Sequence, residues 1–551
     1  MQFLDAETRR QLGFDQIWSQ IRPVSPLGRL RHRKTIAYLP EQSAELKKEL
    51  DVLEKLCNDL KKDPHMAEEL LYLLSMVRDL SATCQRSLQG FVLDDQDFYE
   101  IKKLLLIFEK LEKELEARGW MFLFSSGLEA DKELREALSI GQGTRESFYI
   151  ADDYDEQLAS LRFERAGLEG RLANQLATVE DKVMRAAGRN LSSEACLAIS
   201  TRDTETIEQL KMLPELRVVE ETPDFIKFCM VEDQELVQIK ERLALVRALE
   251  EERKAEIRRW LTGIVKIHAP RLLRILERLA FLDLILAKAK FCAKIDGIKP
   301  QLRSDSLIRI EGGRHLLLEE HLMQRGQRYI PLCIELKPGV TMITGPNMGG
   351  KTVTLQTIGL LCAMAQYGLL VPATRMEFSP RRFIAAHLAE ATIPKGLSAF
   401  AAEIAFLRDV IKESHEHGLV LIDEIAHGTN PLEGAGIAQA IIEKQQKQPI
   451  ITVITTHYPS LAWIKGISHL RVKGLDRDAL LKDEQVLVAG LVDTLHRLMD
   501  YRLEVATPEQ VQRSDALIVA EALGLDGEII ARAKVIQEQG SAVHRRDDID
   551  D

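Results

Sequence analysis

Aromatic side chains make up only 5% of the 551 residues, too few for an all-β sandwich or barrel, whose strands draw heavily on them. No run of eighteen apolar residues occurs, which argues against a membrane-spanning helix. The opening MQFLDAETRRQLGF lacks both the basic start and the apolar core of a secretory signal, so a cytoplasmic chain with no membrane partner is expected. Cysteine is sparse and scattered: Cys57, Cys84, Cys196, Cys229, Cys292, Cys333 and Cys362 are odd in number and include no C-x-x-C. That pattern indicates neither a disulfide framework nor a zinc site, and seven buried free thiols are expected. An excess of positive charge is missing too, since 74 Lys+Arg face 85 Asp+Glu for a net charge of −11. A surface that binds polyphosphate everywhere is therefore excluded, and any nucleic-acid contact must come from a local basic patch.

What is present falls into two textures. Up to about residue 300 the chain is charged, poor in Pro and Gly, and apolar at three- and four-residue steps, the pattern of helices. Leu158, Leu161, Leu168, Leu172, Leu176, Val179 and Val183 mark one face of a long helix, and Leu236, Ile239, Leu243 and Val246 begin another. Between them LRVVEE and DFIKFCMV flank Thr222-Pro223 and predict a short strand pair, so two lever helices would carry a small tip. Past Pro300, GVTMITG, GLVLIDE and IITVITTHY are short, apolar and rich in β-branched residues, with helical segments between them. That is the texture of an α/β domain on a mostly parallel sheet. The expected division is a helical core over 1–140, lever and clamp helices with a strand pair over 141–300, the α/β domain over 301–475, and a helical tail over 476–551 whose last residues are disordered.

The chemistry concentrates in the α/β part. Gly345-Pro346-Asn347-Met348-Gly349-Gly350-Lys351-Thr352 fits G-x-x-x-x-G-K-[ST] between a strand and a helix, the context that motif requires. Its glycines let backbone N–H groups wrap phosphate oxygens, Lys351 adds a point charge, and the Thr352 hydroxyl can ligate Mg²⁺. Further on, the apolar run Leu419 to Ile422 delivers Asp423 and Glu424 to a strand's carboxyl end, where open α/β sheets bind ligands. Asp423 is placed to hold the Mg²⁺ shell and Glu424 to orient or deprotonate water. A third buried strand ends in Thr455-Thr456-His457, and His457 on the same edge can reach a γ-phosphate or its water.

In these motifs the chain resembles the MutS-related ATPases, a branch of the ABC-type P-loop fold. GPNMGGKT matches that family's phosphate loop, LVLIDEIAHGT its second motif and TTHY its histidine switch; the stretch from Leu279 to Leu302 and GGRHLLLE are similar as well. The resemblance implies ATP and Mg²⁺ as cofactors and a homodimer through the ATPase domains. It also implies a partner hydroxyl closing over the γ-phosphate, here Ser398 in GLSAFAAE, and an aromatic on adenine, here Tyr329. Three departures bear on turnover: Ser398-Ala399 replaces a Ser-Thr pair, the segment before it is Ala389-Glu390-Ala391, and Leu316 replaces a proline.

VTLQTIGLLCAMAQYGLLVPA, GTNPLEGAGIA and the N-terminal FDQIW…SPLGR are most similar to the second bacterial branch, whose longer members end in an Smr nuclease domain. With the sequence ending soon after the ATPase segment, no Smr nuclease is expected. Mismatch readers of the family use a Phe-x-Glu wedge. Phe98-Tyr99-Glu100 has the letters, but Leu93, Ile101, Leu104, Leu105 and Phe108 put it on an amphipathic helix, whereas a wedge needs a loop or strand edge. The resemblance thus implies an ATP-driven dimeric clamp acting on double-stranded or branched DNA in mismatch repair or recombination. The alternative it leaves is an ATP-driven reactivating chaperone of a cobalamin-dependent aminomutase of the lysine 5,6-aminomutase type.

Overall fold

The computed structural model describes residues 2–123, 131–142, 146–192, 194–346, 349–388, 399–413, 416–426, 430–456, 458, 461, 464–475, 499–507, 517, 520 and 525–536. The chain divides into two compact units, one of residues 1–72 with 280–551 and one of residues 73–279.

Helices α1 (Ala6–Gln11), α2 (Phe14–Trp18), α3 (Pro26–Lys34), α4 (Ser43–Lys62) and α5 (Glu68–Ser75) open the chain. In the second unit follow α6 (Ser81–Leu88), α7 (Asp95–Ala117), α8 (Lys132–Ala137) and α9 (Glu156–Ala187). Next come strand β1 (Cys196–Ser200), α10 (Thr204–Lys211), and strands β2 (Leu216–Glu221) and β3 (Phe225–Met230). The 61-residue α11 (Gln234–Lys294) begins in this unit and ends in the first. The apolar stripes read from the sequence meet over their middle stretch, where Leu168 with partly buried Leu161 and Leu172 of α9 packs on Ile239, Leu243 and Val246 of α11, while Val179 and Val183 at the end of the α9 stripe pack with the strands and helix that follow it. Phe98-Tyr99-Glu100 lies inside α7, where Phe98 is buried against the Phe148 ring and Glu100 pairs with Arg78 at 2.7 Å. Both letters of the apparent wedge serve the helix core.

The strand pair is present as β2 and β3, but it belongs to a three-stranded sheet of order β1-β3-β2 covered by α10. Here the expectation for cysteine fails. Cys196 and Cys229 are register partners on antiparallel β1 and β3 and form a disulfide. Of the free thiols, Cys57, Cys84, Cys292 and Cys362 are buried and Cys333 is exposed. Spacing could not reveal the bond, because a sheet register brings the two sulfurs together across 33 residues of sequence.

The first unit holds two sheets. One is four-stranded, with β4 (Gln301–Leu302), β5 (Ile308–Gly313), β6 (Leu332–Leu336) and β8 (Arg375–Phe378) in the order β4-β8-β5-β6. The other uses β7 (Gly339–Thr344), β9 (Phe383–His387), β10 (Gly418–Ile422), β11 (Ile451–Thr455), β12 (Ser468–Leu475) and β13 (Met499–Val505) in the order β13-β12-β7-β11-β10-β9. All its neighbours are parallel except β12 and β13. The inner strands read as unbroken apolar runs because both faces are covered. On one side Val340, Met342, Val420, Ile422 and Ile454 pack with Leu407 and Val410 of α14 (Ala399–Glu413) and Ala438 and Ile442 of α15 (Pro431–Gln445). Helix α13 (Lys351–Gln366), apolar nearly all round, is buried along its length. The segment after 475, read as a helical tail, differs: Met499–Val505 is a strand added to the sheet edge by antiparallel pairing with β12. A helix covers 527–536, and residues 537–551 lie outside the described set.

The N-terminus is tied to this sheet. Ile384 N of β9 donates to the Phe3 carbonyl at 2.7 Å, Ala386 N to Thr8 Oγ1, and Leu388 N to Gln11 Oε1. The SPLGR segment has a structural role as well. Asp283 of α11 accepts from Val24 N, Ser25 N and Ser25 Oγ at 3.0, 2.7 and 2.5 Å, while Ser25 Oγ caps α3 by accepting from Gly28 N. A Cβ on Gly28 would stand 2.1 Å from Asp283 Oδ2, so the glycine admits the carboxylate. Gly28→Ala should therefore displace Asp283, break the cap, and cost about 2–4 kcal/mol in urea unfolding. An unchanged midpoint would remove this lock from the account.

His315 begins α12 (Leu316–Gln324), where its Nδ1 accepts from Leu318 N at 3.4 Å and its own N–H donates to the Tyr329 hydroxyl at 3.0 Å. Burial pushes its pKa from 6.5 down to about 4. Between those values the unfolded chain takes a proton that the folded chain refuses, so stability falls as pH is lowered from about 6.5 toward 4. His315→Asn keeps a capping side chain without the titration. It should flatten that fall by about 2–3 kcal/mol when unfolding free energies near pH 7.5 and 4.5 are compared.

Candidate functional site

Parallel pairing sets the site before any side chain is considered. β7, β11 and β10 are adjacent, with Ile343 opposite Thr455 and Ile422 opposite Ile454. Their carboxyl ends therefore present the loop after Thr344, the residues at Thr455 and the pair Asp423-Glu424 side by side.

The loop turns on its glycines. Gly345 has φ 149° and Gly350 φ 74°, and a Cβ would meet Val472 at 2.9 Å in the first case and the Tyr501 ring at 3.1 Å in the second. Gly349 N closes the turn onto the Pro346 carbonyl at 3.0 Å. Among the described residues no side chain caps the N-terminus of α13, so its first N–H groups remain available to an anion. Lys351, only 6% exposed, donates to the carbonyls of Gly345 at 2.9 Å and Pro346 at 3.2 Å. Burial lowers its pKa, while Glu424 and Asp423 act in the opposite sense. The ammonium is thus held by weak neutral acceptors that a phosphate oxygen would outcompete.

The two carboxylates differ in their surroundings. Asp423 is also 6% exposed; its Oδ2 accepts from the Thr352 hydroxyl and its Oδ1 from the Thr455 hydroxyl, both at 2.5 Å. Thr455 Oγ1 in turn accepts from Glu424 N at 2.8 Å. One hydroxyl therefore fixes both acidic residues. Glu424 and Ala426 have φ 55° and 59°, a left-handed turn without glycine that must be held from outside. The holders are Glu403 of α14, which accepts from Ala426 N at 2.7 Å, and the Tyr458 hydroxyl, which donates to the Ala426 carbonyl at 3.1 Å. On the other flank His469 Nε2 lies 2.8 Å from Thr344 Oγ1, and burial lowers the pKa of that histidine.

Gly345, Pro346, Gly349, Gly350, Lys351, Thr352, Asp423 and Glu424 are thus brought to one edge. Asn347, Met348, Ser398 and His457 lie outside the described residues. Tyr329 stands beside α13, with its hydroxyl turned to His315 N and to Thr357. Sequence reasoning missed Thr455, Glu403, Tyr458, His469 and Tyr501. Thr455 carried a signal, since it ends an apolar strand, but its role depends on the strand order.

The donor set fits a polyphosphate with a hard divalent cation: uncapped N–H groups and an ammonium for the phosphates, and the Thr352 hydroxyl and Asp423 oxygens for the metal. Among the described residues no cluster of three or more His, Cys, Asp or Glu could hold a metal by itself. A cation bound here would need the substrate's own oxygens to complete its shell, as Mg²⁺ commonly does.

The MutS domain V family matches residues 341–539, which include the loop, the acidic pair and β11 to β13. The chain is similar to the Endonuclease MutS2 of Geobacillus sp. (strain WCH70), 30% identical over 477 residues, or 84% of this chain and 57% of that protein. It is likewise similar to the Endonuclease MutS2 of Thermomicrobium roseum, 34% identical over 327 residues, or 56% of this chain and 38% of the relative. For that of Clostridium botulinum (strain Eklund 17B / Type B) the figures are 35% over 288 residues, 51% and 34%. The chain spans about half the length of the curated relatives it matches. No described helix is long and apolar enough to cross a membrane. By its matched domain, and by similarity that reaches well upstream of it, the chain is a MutS-related protein.

Proposed function

We propose that the first unit contains an ABC-type P-loop ATPase that binds Mg²⁺-ATP and hydrolyses it to ADP and phosphate. The observation that carries this reading is the continuous chain Thr352–Asp423–Thr455–Glu424 beside Lys351. The N–H groups at the start of α13 and the Lys351 ammonium would bind the β- and γ-phosphates. Thr352 and Asp423 would hold Mg²⁺, which when bound neutralises the charge developing on the phosphoryl oxygens. Glu424 would orient the attacking water and accept its proton. His457 as γ-phosphate sensor, Ser398 as the hydroxyl supplied across a homodimer, and Tyr329 as the adenine platform complete the reading. The 301–475 segment would be the motor, and the lever helices α9 and α11 would carry its closure to the β1-β3-β2 tip. The described relatives are named endonucleases, and double-stranded or branched DNA is the partner we propose for this chain.

Lys351→Ala should abolish the heat of ATP binding in calorimetry. Glu424→Gln should bind ATP normally and lower turnover about 100-fold or more; wild-type turnover in that variant would remove Glu424 from the water-activating role. A separate expectation concerns Thr455. Thr455→Val should leave ATP affinity little changed but raise the Mg²⁺ concentration for half-maximal turnover about 10–100-fold, with Thr455→Ser restoring it. A Val variant with unaltered Mg²⁺ dependence would show that the hydroxyl does not position Asp423.

A further inference from the structure

A cavity of about 920 Å³ opens in the first unit, away from the nucleotide edge. Its lining brings together the segment after α2 (Gln20, Arg22), the end of α4 (Leu60, Lys61) with Pro64, and the last turns of α11. On α11, Ala287, Lys290, Phe291 and Lys294 fall at i, i+3, i+4 and i+7, so one face supplies both an apolar floor and two ammonium groups. Among the described lining residues the charge is four cations (Arg22, Lys61, Lys290, Lys294) against one carboxylate, Asp296, which pairs with Lys61 at 3.4 Å. Arg22, Lys290 and Lys294 carry no ion pair among the described residues.

Lysines near helix C-termini often do no more than offset the helix dipole, and both α4 and α11 end at this cavity. Two such ends amount to roughly −0.5 each. With Asp296 they cancel about two of the four positive charges, which leaves about +2 directed at solvent. In a chain of net charge −11, such a concentration needs an anionic partner or strong solvation. The character of the lining says which anion suits it. A pocket for a specific small molecule places buried, fixed polar groups around its ligand. Here Arg22, Lys61, Lys290 and Lys294 are all exposed on flexible stems, and the buried residues Leu60, Ala287 and Phe291 are apolar. Lys290 and Lys294 are one helical turn apart, about 6 Å along the axis, a step similar to that between successive phosphates of one strand.

We propose that this cavity binds the phosphodiester backbone of a nucleic-acid strand through about two successive phosphates, without reading sequence. The proposal rests on the reading of the chain as acting on DNA and gives that contact a place outside the ATPase edge. The lysines and Arg22 hold the phosphates, and the Phe291 face keeps the lysine stems extended over it.

The test is anisotropy titration of the full chain with fluorescent duplex and single-stranded DNA over a salt series, using Lys290→Gln/Lys294→Gln, the charge-keeping Lys290→Arg/Lys294→Arg, and Arg22→Gln. All of these positions are exposed, and ATP binding measured in the same preparations reports that the first unit is intact. The Gln pair should weaken DNA binding at least about tenfold at low salt and reduce the slope of log affinity against log salt by about 2, while the Arg pair keeps both. Unchanged affinity and slope in the Gln pair, with the wild type binding DNA, would overturn this site and leave the DNA reading standing. Absence of wild-type binding to either DNA at low salt would overturn both. Displacement of DNA from the wild type, but not from the Gln pair, by micromolar pyrophosphate would overturn the backbone assignment in favour of a small polyphosphate ligand.

Discussion

The arrangement at the sheet edge depends on one hydroxyl. Thr455 closes the strand between β7 and β10, donates to Asp423 and receives the N–H of Glu424. An ionised carboxylate buried beside an ammonium is costly unless its lone pairs are engaged. The two threonine hydroxyls at 2.5 Å engage both oxygens of Asp423 and leave the acid oriented across the loop. The same contact pins the first peptide of a left-handed turn that Glu403 and Tyr458 finish holding. The strain of that turn is offset by the sheet on one side and α14 on the other, so it persists next to the glycine loop that follows β7.

This explains what could be read in advance and what could not. The glycine loop and the acidic pair are local in sequence: glycines must stand where φ is positive, a lysine must follow, and an apolar strand must precede each, so letters and periodicity suffice. The long helices were legible for the same reason, since a stripe at three- and four-residue steps has to be covered: α11 covers the Leu161 to Leu172 part of α9, and the small sheet covers Val179 and Val183. Thr455 was not, because its importance comes from β11 lying between β7 and β10, an order no run of residues states. The Cys196–Cys229 bond and the tail strand β13 are further cases in which partners far apart in sequence meet only through register. The N-terminal residues read as part of a separate helical core, yet Phe3, Thr8 and Gln11 serve β9 through backbone and side-chain bonds that leave no periodic trace.

The charge pattern raises the complementary question of how an acidic chain could meet a polyanion. The arginines of α9 and α11 in the second unit do not answer it, for many are engaged by glutamates. Glu250, at 3% side-chain exposure, accepts from Arg162 and Arg165 and pairs with Lys254. Arg242 and Arg247 reach Glu164 and Glu169, and Arg171 reaches Glu235. The exposed pairs contribute little to stability, but each sets a carboxylate beside a guanidinium and so weakens the positive field at those helices. Removing cations from a buried glutamate is another matter, because the carboxylate left behind would be uncompensated. The end of α11 differs: Lys290 and Lys294 project beside apolar side chains, with Asp296 the one carboxylate among the described lining residues and already paired to Lys61. A helix that spends its charge on a neighbour over one stretch and leaves it unspent over another has two jobs along its length. In α11 the first holds it against α9, and the second leaves a local positive field despite the chain's net negative charge.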